Sequence, residues 1–296
     1  MPEGDTPTIA RRRVRLALRE AREASGMTQQ HVADEMEWSL SKVIRIEKGD
    51  VSIAPNDLRP LLSLLGIKDR ARIAELLVEA RIARTRQRRA WYQELQFRDN
   101  LTEDSLRLIE YEAEAVAIHS YSVFHFPGSL QIPLYAKALI ATWEDEITES
   151  QREHRLEARR LRREALLGRL GTIRLTALLD EAVFRRPIGG AEVFADQLRE
   201  ILRLNEADLA AIRMVPFSID AALSYNALFD IMFLDRDGDV SSAVMYRETG
   251  TTDEIVEDRV TTSRHYARYQ KLWDAAMTEV ETNNFIKHRL ESLDLP

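Results

Sequence analysis

The chain has no cysteine, so it can build neither a disulfide framework nor a thiolate metal site, and it offers no thiol nucleophile. No stretch reaches the roughly 18 consecutive apolar residues of a membrane-spanning helix, and Met1 to Thr8 hold no apolar run of the signal-peptide type. These absences lead us to expect a cytoplasmic protein with no membrane contact. Lysine is scarce, 6 residues against 36 arginines, a bias we read as codon usage in a GC-rich genome, so abundant arginine alone is not taken as a functional signal. A surplus of positive charge is missing as well: the formal net charge is −7, which taken alone argues against a nucleic-acid partner. The distribution reverses that inference. Residues 1–90 hold 18 Lys+Arg and 13 Asp+Glu, net +5, whereas the remainder holds 24 and 36, net −12. A basic first unit suits phosphate contact, and an acidic second unit would turn toward another partner. The 296 residues suffice for a small domain and a larger one with its own core.

The most informative stretch is Gln29 to Gly49. Val32, Ala33 and Met36 make an apolar stripe at helical spacing, Glu37-Trp38 breaks it, and Ser39 stands where an N-cap would start a second helix carrying Val43 and Ile46 inward. Two short helices joined by a tight turn follow, with the small Ala33 where they must approach closely. Leu40, Ser41, Lys42 and Arg45 are left on the outer face of the second helix. The preceding helix, from about Thr8 to Ala24, sets Val14, Ala17, Leu18 and Ala21 at i, i+3, i+4, i+7; Gly26 ends it and Thr28 caps the next. Asn56 to Leu65 and Asp69 to Thr85 read as two further helices, the first introduced by Pro55 and ended by Gly66. Arginines cluster at 11, 12, 13 and 15 and again at 81, 84, 86, 88 and 89; each cluster is either a phosphate-contacting surface or a solvated helix face. A boundary falls just before Trp91-Tyr92.

Leu18-Arg19-x-x-Arg22, Gly26-Met27-Thr28-Gln29, Val32-Ala33 and Ser39-x-Ser41-x-Val43-x-Arg45-Ile46-Glu47-x-Gly49 resemble the xenobiotic-response-element (XRE) class of helix-turn-helix repressors. One position departs: Glu37 stands at the turn where that class usually has Gly, and Glu tolerates φ > 0 poorly. The resemblance implies that the outer positions Leu40, Ser41, Lys42 and Arg45 touch base edges in the major groove. Arg45 can make two bonds to guanine O6 and N7, Ser41 can bond several edges, and Leu40 can pack on a thymine methyl. Thr28, Gln29 and Ser39, at the helix starts, are the expected phosphate contacts. It also implies a buried ion pair between Arg22 and Glu47.

Beyond residue 90 the pattern is α+β. Leu101 to Gly168 reads as helical, interrupted at Phe126-Pro127-Gly128; strands are expected at Ile173 to Leu179, Ala211 to Phe217, Leu228 to Leu234 and Ser242 to Glu248, with a helix at Glu192 to Leu204. Asp235 to Asp239 reads as a hairpin turn on its Asp-Gly signal. A calcium loop fails there, because the Gly is misplaced and Tyr246 occupies the twelfth position. Helices at Asp258 to Glu279 and Thr282 to Ser292 close the chain. Glu112 to Ala115, Phe126 to Gln131 with Tyr135-Ala136, Glu181 to Gly190, Gln197-Leu198 and Val215-Pro216-Phe217 are similar to a C-terminal domain of unknown function that follows an XRE domain in many antitoxin-like regulators of GC-rich bacteria, often encoded beside a small partner protein. Ser129 and Ile132 depart from its usual Leu and Thr, and the Gly and His usual after the Pro-Phe are missing.

No catalytic constellation is legible. His119 and His125 are six apart, neither i+3 nor i+4, and the other histidines are scattered. Glu110, Glu112 and Glu114 read as solvated or helix-packing residues, Ser129 lacks a G-x-S-x-G setting, and Gly189-Gly190 has no phosphate-loop Lys. The expectation is therefore a five-helix, all-α helix-turn-helix domain at 1–89 and a larger α+β regulatory and dimerisation domain at 90–296, mostly helical with a small sheet. No enzymatic activity, cofactor or metal is expected. The expected function is that of a sequence-specific regulator, a homodimeric repressor on a palindromic double-stranded operator. The alternatives are an antitoxin-like protein that sequesters a small partner protein through its acidic domain, and a sensor of a small-molecule effector.

Overall fold

Local capping signals and long-range burial together divide the chain into two units, Met1–Ala90 and Trp91–Pro296, in a computed structural model that describes residues 6–85, 90–142, 145–220, 228–235, 238–249 and 252–293. The first unit is all helical: α1 (Pro7–Ala24), α2 (Gln29–Glu35), α3 (Leu40–Lys48), α4 (Pro55–Leu64) and α5 (Arg70–Ile82). Caps set the starts. Thr6, Thr28, Ser39 and Asp69 each accept a backbone N–H of the following turn. Left-handed glycines end the turns at Gly26 (φ +72°), Gly49 (φ +89°) and Gly66 (φ +77°). Val14, Leu18, Val32, Ala33, Val43 and Ile46 join Leu58, Leu62, Leu76 and Leu77 in one buried cluster.

The first arginine cluster is not a solvated face. Arg12 and Arg15 are buried, Arg13 pairs with Glu79 at 3.5 Å, and Arg11 Nη1 donates to the Gly49 carbonyl at 3.5 Å. Arg11 and Arg13 thereby tie α1 to the end of α3 and to α5 within its own unit. Of the second cluster, Arg81 and Arg84 are exposed, while Arg86, Arg88 and Arg89 lie outside the described residues.

The second unit is built on a six-stranded mixed sheet of order β3-β2-β1-β4-β5-β6. Its elements in chain order are α6 (Leu95–Asn100), α7 (Glu103–Glu114), β1 (Ala117–Ser122), α8 (Pro133–Ala141), α9 (Glu149–Leu167), β2 (Arg174–Asp180), α10 (Glu181–Arg185), α11 (Gly190–Glu206), β3 (Ala211–Val215), β4 (Leu228–Phe233), β5 (Val244–Thr249), β6 (Thr252–Val256), α12 (Arg259–Ala275) and α13 (Glu279–Glu291). Strands β1, β2 and β3 run parallel through helical crossovers, and β4, β5 and β6 are antiparallel. The parallel half is buried on both sides, and β2 is accordingly apolar along most of its length.

Two strands depart from the sequence reading. Residues Ala117–Ser122 fall in the segment expected to be helical, yet form the central strand β1. Thr252–Val256 adds β6 at the sheet edge, where no strand was expected. The Asp-Gly segment lies in the connection between β4 and β5, which pair antiparallel: Gly238 N–H donates to the Asp235 carbonyl at 3.4 Å, and a 3-10 turn at Val240–Ser242 lengthens the connection, with Arg236 and Asp237 outside the described residues. The last helix break falls earlier than expected, at Ala276 to Thr278, because Thr278 and Glu281 form a capping box that starts α13. In β1 and β4 the odd-numbered side chains, such as Tyr121, Phe229, Ile231 and Phe233, pack with Tyr269 and Leu272 of α12. The even-numbered residues face the other way.

Candidate nucleic-acid interface

The turn between α2 and α3 decides how far the second helix projects. Helix α2 ends at Met36, and Glu37 takes φ +54°, the left-handed conformation in which that turn is usually given to Gly. Trp38 N–H then donates to the Ala33 carbonyl at 2.8 Å, and Ser39 Oγ accepts from Lys42 N–H at 3.2 Å. Ala33 is fully buried, as a small residue at a close helix crossing requires. Val43 and Ile46 point into the core.

The opposite face of α3 is open. Leu40 is 37% exposed, too open to be a core contact, and Ser41 and Arg45 are exposed. No hydrogen bond or ion pair occupies the side chains of Ser41 or Arg45 among the described residues. Lys42 stands apart from them. Its ammonium pairs with Asp57 at 3.0 Å and lies 3.6 Å from the centre of the Trp38 ring, which ties α3 to the turn before it and to α4. Trp38 and Asp57 were not singled out from the sequence. Neither carries a local signal for its contact with Lys42, which depends on tertiary placement.

Behind this face, Arg22 and Glu47 form a two-pronged ion pair, Nε to Oε1 at 2.6 Å and Nη2 to Oε2 at 3.0 Å. Their side chains are 13% and 6% exposed. Hydrogen bonding to Glu47 is the main cause that holds the Arg22 guanidinium above its ordinary pKa. Arg22 Nη1 also donates to the Met27 carbonyl at 3.1 Å, and Arg19 Nη2 to the Glu47 carbonyl at 2.9 Å. Gln29 joins the same network: its amide donates to Glu47 Oε2 at 2.8 Å, so the side chain is turned inward. Thr28 and Ser39 hold their helix starts as caps.

In the second unit, Glu112 is neither solvated nor a bare packing residue, because it forms two hydrogen bonds with Arg162. His119 Nδ1 lies 2.6 Å from Thr176 Oγ1, whereas His125 Nδ1 donates to the Phe126 carbonyl at 2.9 Å. Ser129 is buried in a 3-10 turn. Among the described residues no group of three or more His, Asp or Glu is placed to hold a metal ion, and no helix is long and apolar enough to cross a membrane.

Residues 14–76 match the model of a helix-turn-helix domain, and residues 105–288 match a domain of unknown function (DUF5753). No curated protein and no solved structure matches the chain.

Proposed function

The chain belongs to the DUF5753 family, with a helix-turn-helix domain of DNA-binding regulators ahead of the family's own, and from that premise we propose that it is a cytoplasmic, XRE-type transcriptional repressor that binds a palindromic operator as a homodimer. One observation carries this reading. The core side of α3 and its flanks are committed to burial, caps and ion pairs, while Leu40, Ser41 and Arg45 stand exposed together on the outer side. In this reading Arg45 takes guanine through two hydrogen bonds, Ser41 bonds a second base edge and Leu40 packs on a thymine methyl. Lys42, held by Asp57 and Trp38, contributes charge at the groove edge, and Thr28, Gln29 and Ser39 contact phosphate. A single helix-turn-helix buries too little surface for tight selection, which is why two copies on half-sites about 34 Å apart are invoked.

The second unit supplies the dimer contact and the regulatory surface. Its excess acid disfavours DNA and suits a small basic partner protein, the antitoxin-like alternative. A sensor reading is favoured by a cleft of about 630 Å³ lined by His119, Phe233 and Tyr266 with Arg169 and Arg174, within the size range of small-molecule sites. No catalytic role, cofactor or metal is assigned. The test is selection of random duplexes by the full chain, with sedimentation of the full chain and of residues 1–89. A two-fold symmetric motif, a dimeric full chain and a largely monomeric fragment are expected. A fragment that sediments as a stable dimer would move dimerisation into the first unit, and no enriched motif would end the regulator reading.

A further inference from the structure

Helix α9 presents Arg155, Arg159 and Arg162 at i, i+4 and i+7 to the sheet face opposite α12. On that face the strand register sets Ser120, Asp230 and Tyr246 side by side across β1, β4 and β5, with Glu248 two residues on from Tyr246. Between helix and sheet lie two cavities that share Arg159, Arg162, Tyr246 and Glu248 as walls, with about 60 Å³ and about 30 Å³ open to the centres of water-sized molecules. At about 10–15 Å³ for each water, this holds on the order of six waters. That is enough for a phosphate or carboxylate group and far too little for a drug-sized ligand.

Most charges around the cavities are already matched. Arg162 is bound twice by Glu112, at 2.6 and 2.7 Å. Asp253 accepts from Thr102 at 3.0 Å, from Tyr246 at 2.9 Å and from Ser105. Asp230 accepts from Ser120, and burial pushes its carboxyl up to about 6. Arg159 differs. Its one hydrogen bond among the described residues goes to a neutral acceptor, Gln131 Oε1 at 3.0 Å, and no carboxylate lies within 4.0 Å of it. Burial pulls its pKa down from the ordinary value, with the more distant Glu248 only partly offsetting the loss of hydration. The side chain of Arg155 has no hydrogen bond or ion pair among the described residues, and that of Glu248 has none either. Arg159 is half-buried at the wall of both cavities, and a guanidinium with no touching counter-ion there is a ready partner for an anion from solution.

We propose that this layer between α9 and the sheet is an effector site for the oxyanion group of a small molecule, a carboxylate or a phosphate, gripped by Arg159 with Arg155 beside it. The proposal rests on the second unit being regulatory, and it adds to that reading a site separate from the His119 cleft, with its ligand chemistry named. Glu248 on the facing wall can accept a hydrogen bond from a hydroxyl or amine on the same ligand.

The test uses the full chain without DNA, so that failure of operator binding and failure of this site are separate results. Calorimetric titration at constant ionic strength with inorganic phosphate, and separately with acetate, should give saturable binding to at least one anion and so identify which oxyanion fits. Arg159→Gln should weaken it at least tenfold, and Arg159→Lys should weaken it as well, because an ammonium lacks the guanidinium's fork. Glu248→Gln should tighten it several-fold by removing the facing negative charge, a gain that misfolding cannot mimic. Arg160→Gln, on the exposed side of the same helix and held by Glu157 and Glu164, should leave it unchanged. Absence of saturable binding to either anion, equal losses for Arg159→Gln and Arg160→Gln, or unchanged or weaker binding in Glu248→Gln would overturn the assignment.

Discussion

Replacing Arg22 or Glu47 with alanine tests how firmly the reading helix is anchored. The Glu47 carboxylate, 6% exposed, accepts three hydrogen bonds, two from Arg22 at 2.6 and 3.0 Å and one from Gln29 at 2.8 Å. Removal of one member of a buried pair costs about 3 to 5 kcal/mol, because the other charge is left out of water without its partner. Arg22→Ala strands the more deeply buried carboxylate with Gln29 alone and should cost about 4 kcal/mol. Glu47→Ala leaves a guanidinium that is 13% exposed and still bonded to the Met27 carbonyl, so its cost should lie near the lower end, about 3 kcal/mol. For a unit of this size, with a total stability of about 4 to 12 kcal/mol, either loss is a large fraction. Residues 1–89 contain a single tryptophan, Trp38, so urea unfolding of that segment can be followed by its fluorescence. The two variants and their double should show a coupling of about 2 kcal/mol or more, little reduced in 1 M salt because the pair is shielded from ions. Single losses within about 1 kcal/mol and a coupling under about 0.5 kcal/mol would refute the reasoning and make this a solvated surface pair.

Glu37→Gly should raise the stability of the same segment by about 0.5 to 1 kcal/mol, since Glu37 is exposed at φ +54° and the left-handed conformation penalises a side chain there; a lower urea midpoint would contradict this. Gly49→Ala should destabilise it by more than about 1 kcal/mol, because φ is +89° and an added Cβ would sit 2.8 Å from Arg15 Cδ, and a midpoint equal to wild type would mean that Arg15 moves aside freely. In the second unit, burial lowers the His119 pKa to about 4 from 6.5. Between those values the unfolded chain binds more protons, so the stability His119 confers is complete above pH 6.5 and is lost as pH falls toward about 4. The imidazole resonances should titrate near 4, and an inflection near 6.5 would place the ring in water.

What the sequence revealed was whatever is encoded within one turn of chain. Thr28 and Ser39 as caps, Gly26 and Gly66 as stops, and the spacing of Val32, Val43 and Ile46 are local signals, and the first helices of the first unit follow from them. What stayed hidden depends on partners far along the chain. Strand β1 reads Ala-Ile-His-Ser-Tyr-Ser, with polar residues that do not look like a buried centre. His119 is satisfied by Thr176, Ser120 by Asp230 and Ser122 by the His125 carbonyl, and two of those three partners lie on other strands. Strand β6 is a short, charged edge strand, the kind that carries a weak pattern. Helix α9 is so rich in charge that it reads as a solvated rod, yet Arg159 and Arg162 face Gln131 and Glu112 from other elements. The same limit applies to the site. The outer positions Leu40, Ser41 and Arg45 were legible from helical periodicity, whereas the clasp of Lys42 by Trp38 and Asp57 and the inward turn of Gln29 toward Glu47 depend on tertiary placement.

Sequence-specific readout by the exposed face of α3 is tested most directly by selecting random duplexes with the wild-type chain, Arg45→Ala and Gln29→Ala in parallel and sequencing the pools. If Arg45 pairs with guanine, its variant should lose preference at one base pair in each half-site, about 1 to 3 kcal/mol of discrimination, while Gln29→Ala weakens all sequences alike and keeps the wild-type motif. An Arg45→Ala profile identical to wild type at every position would contradict base readout by this helix.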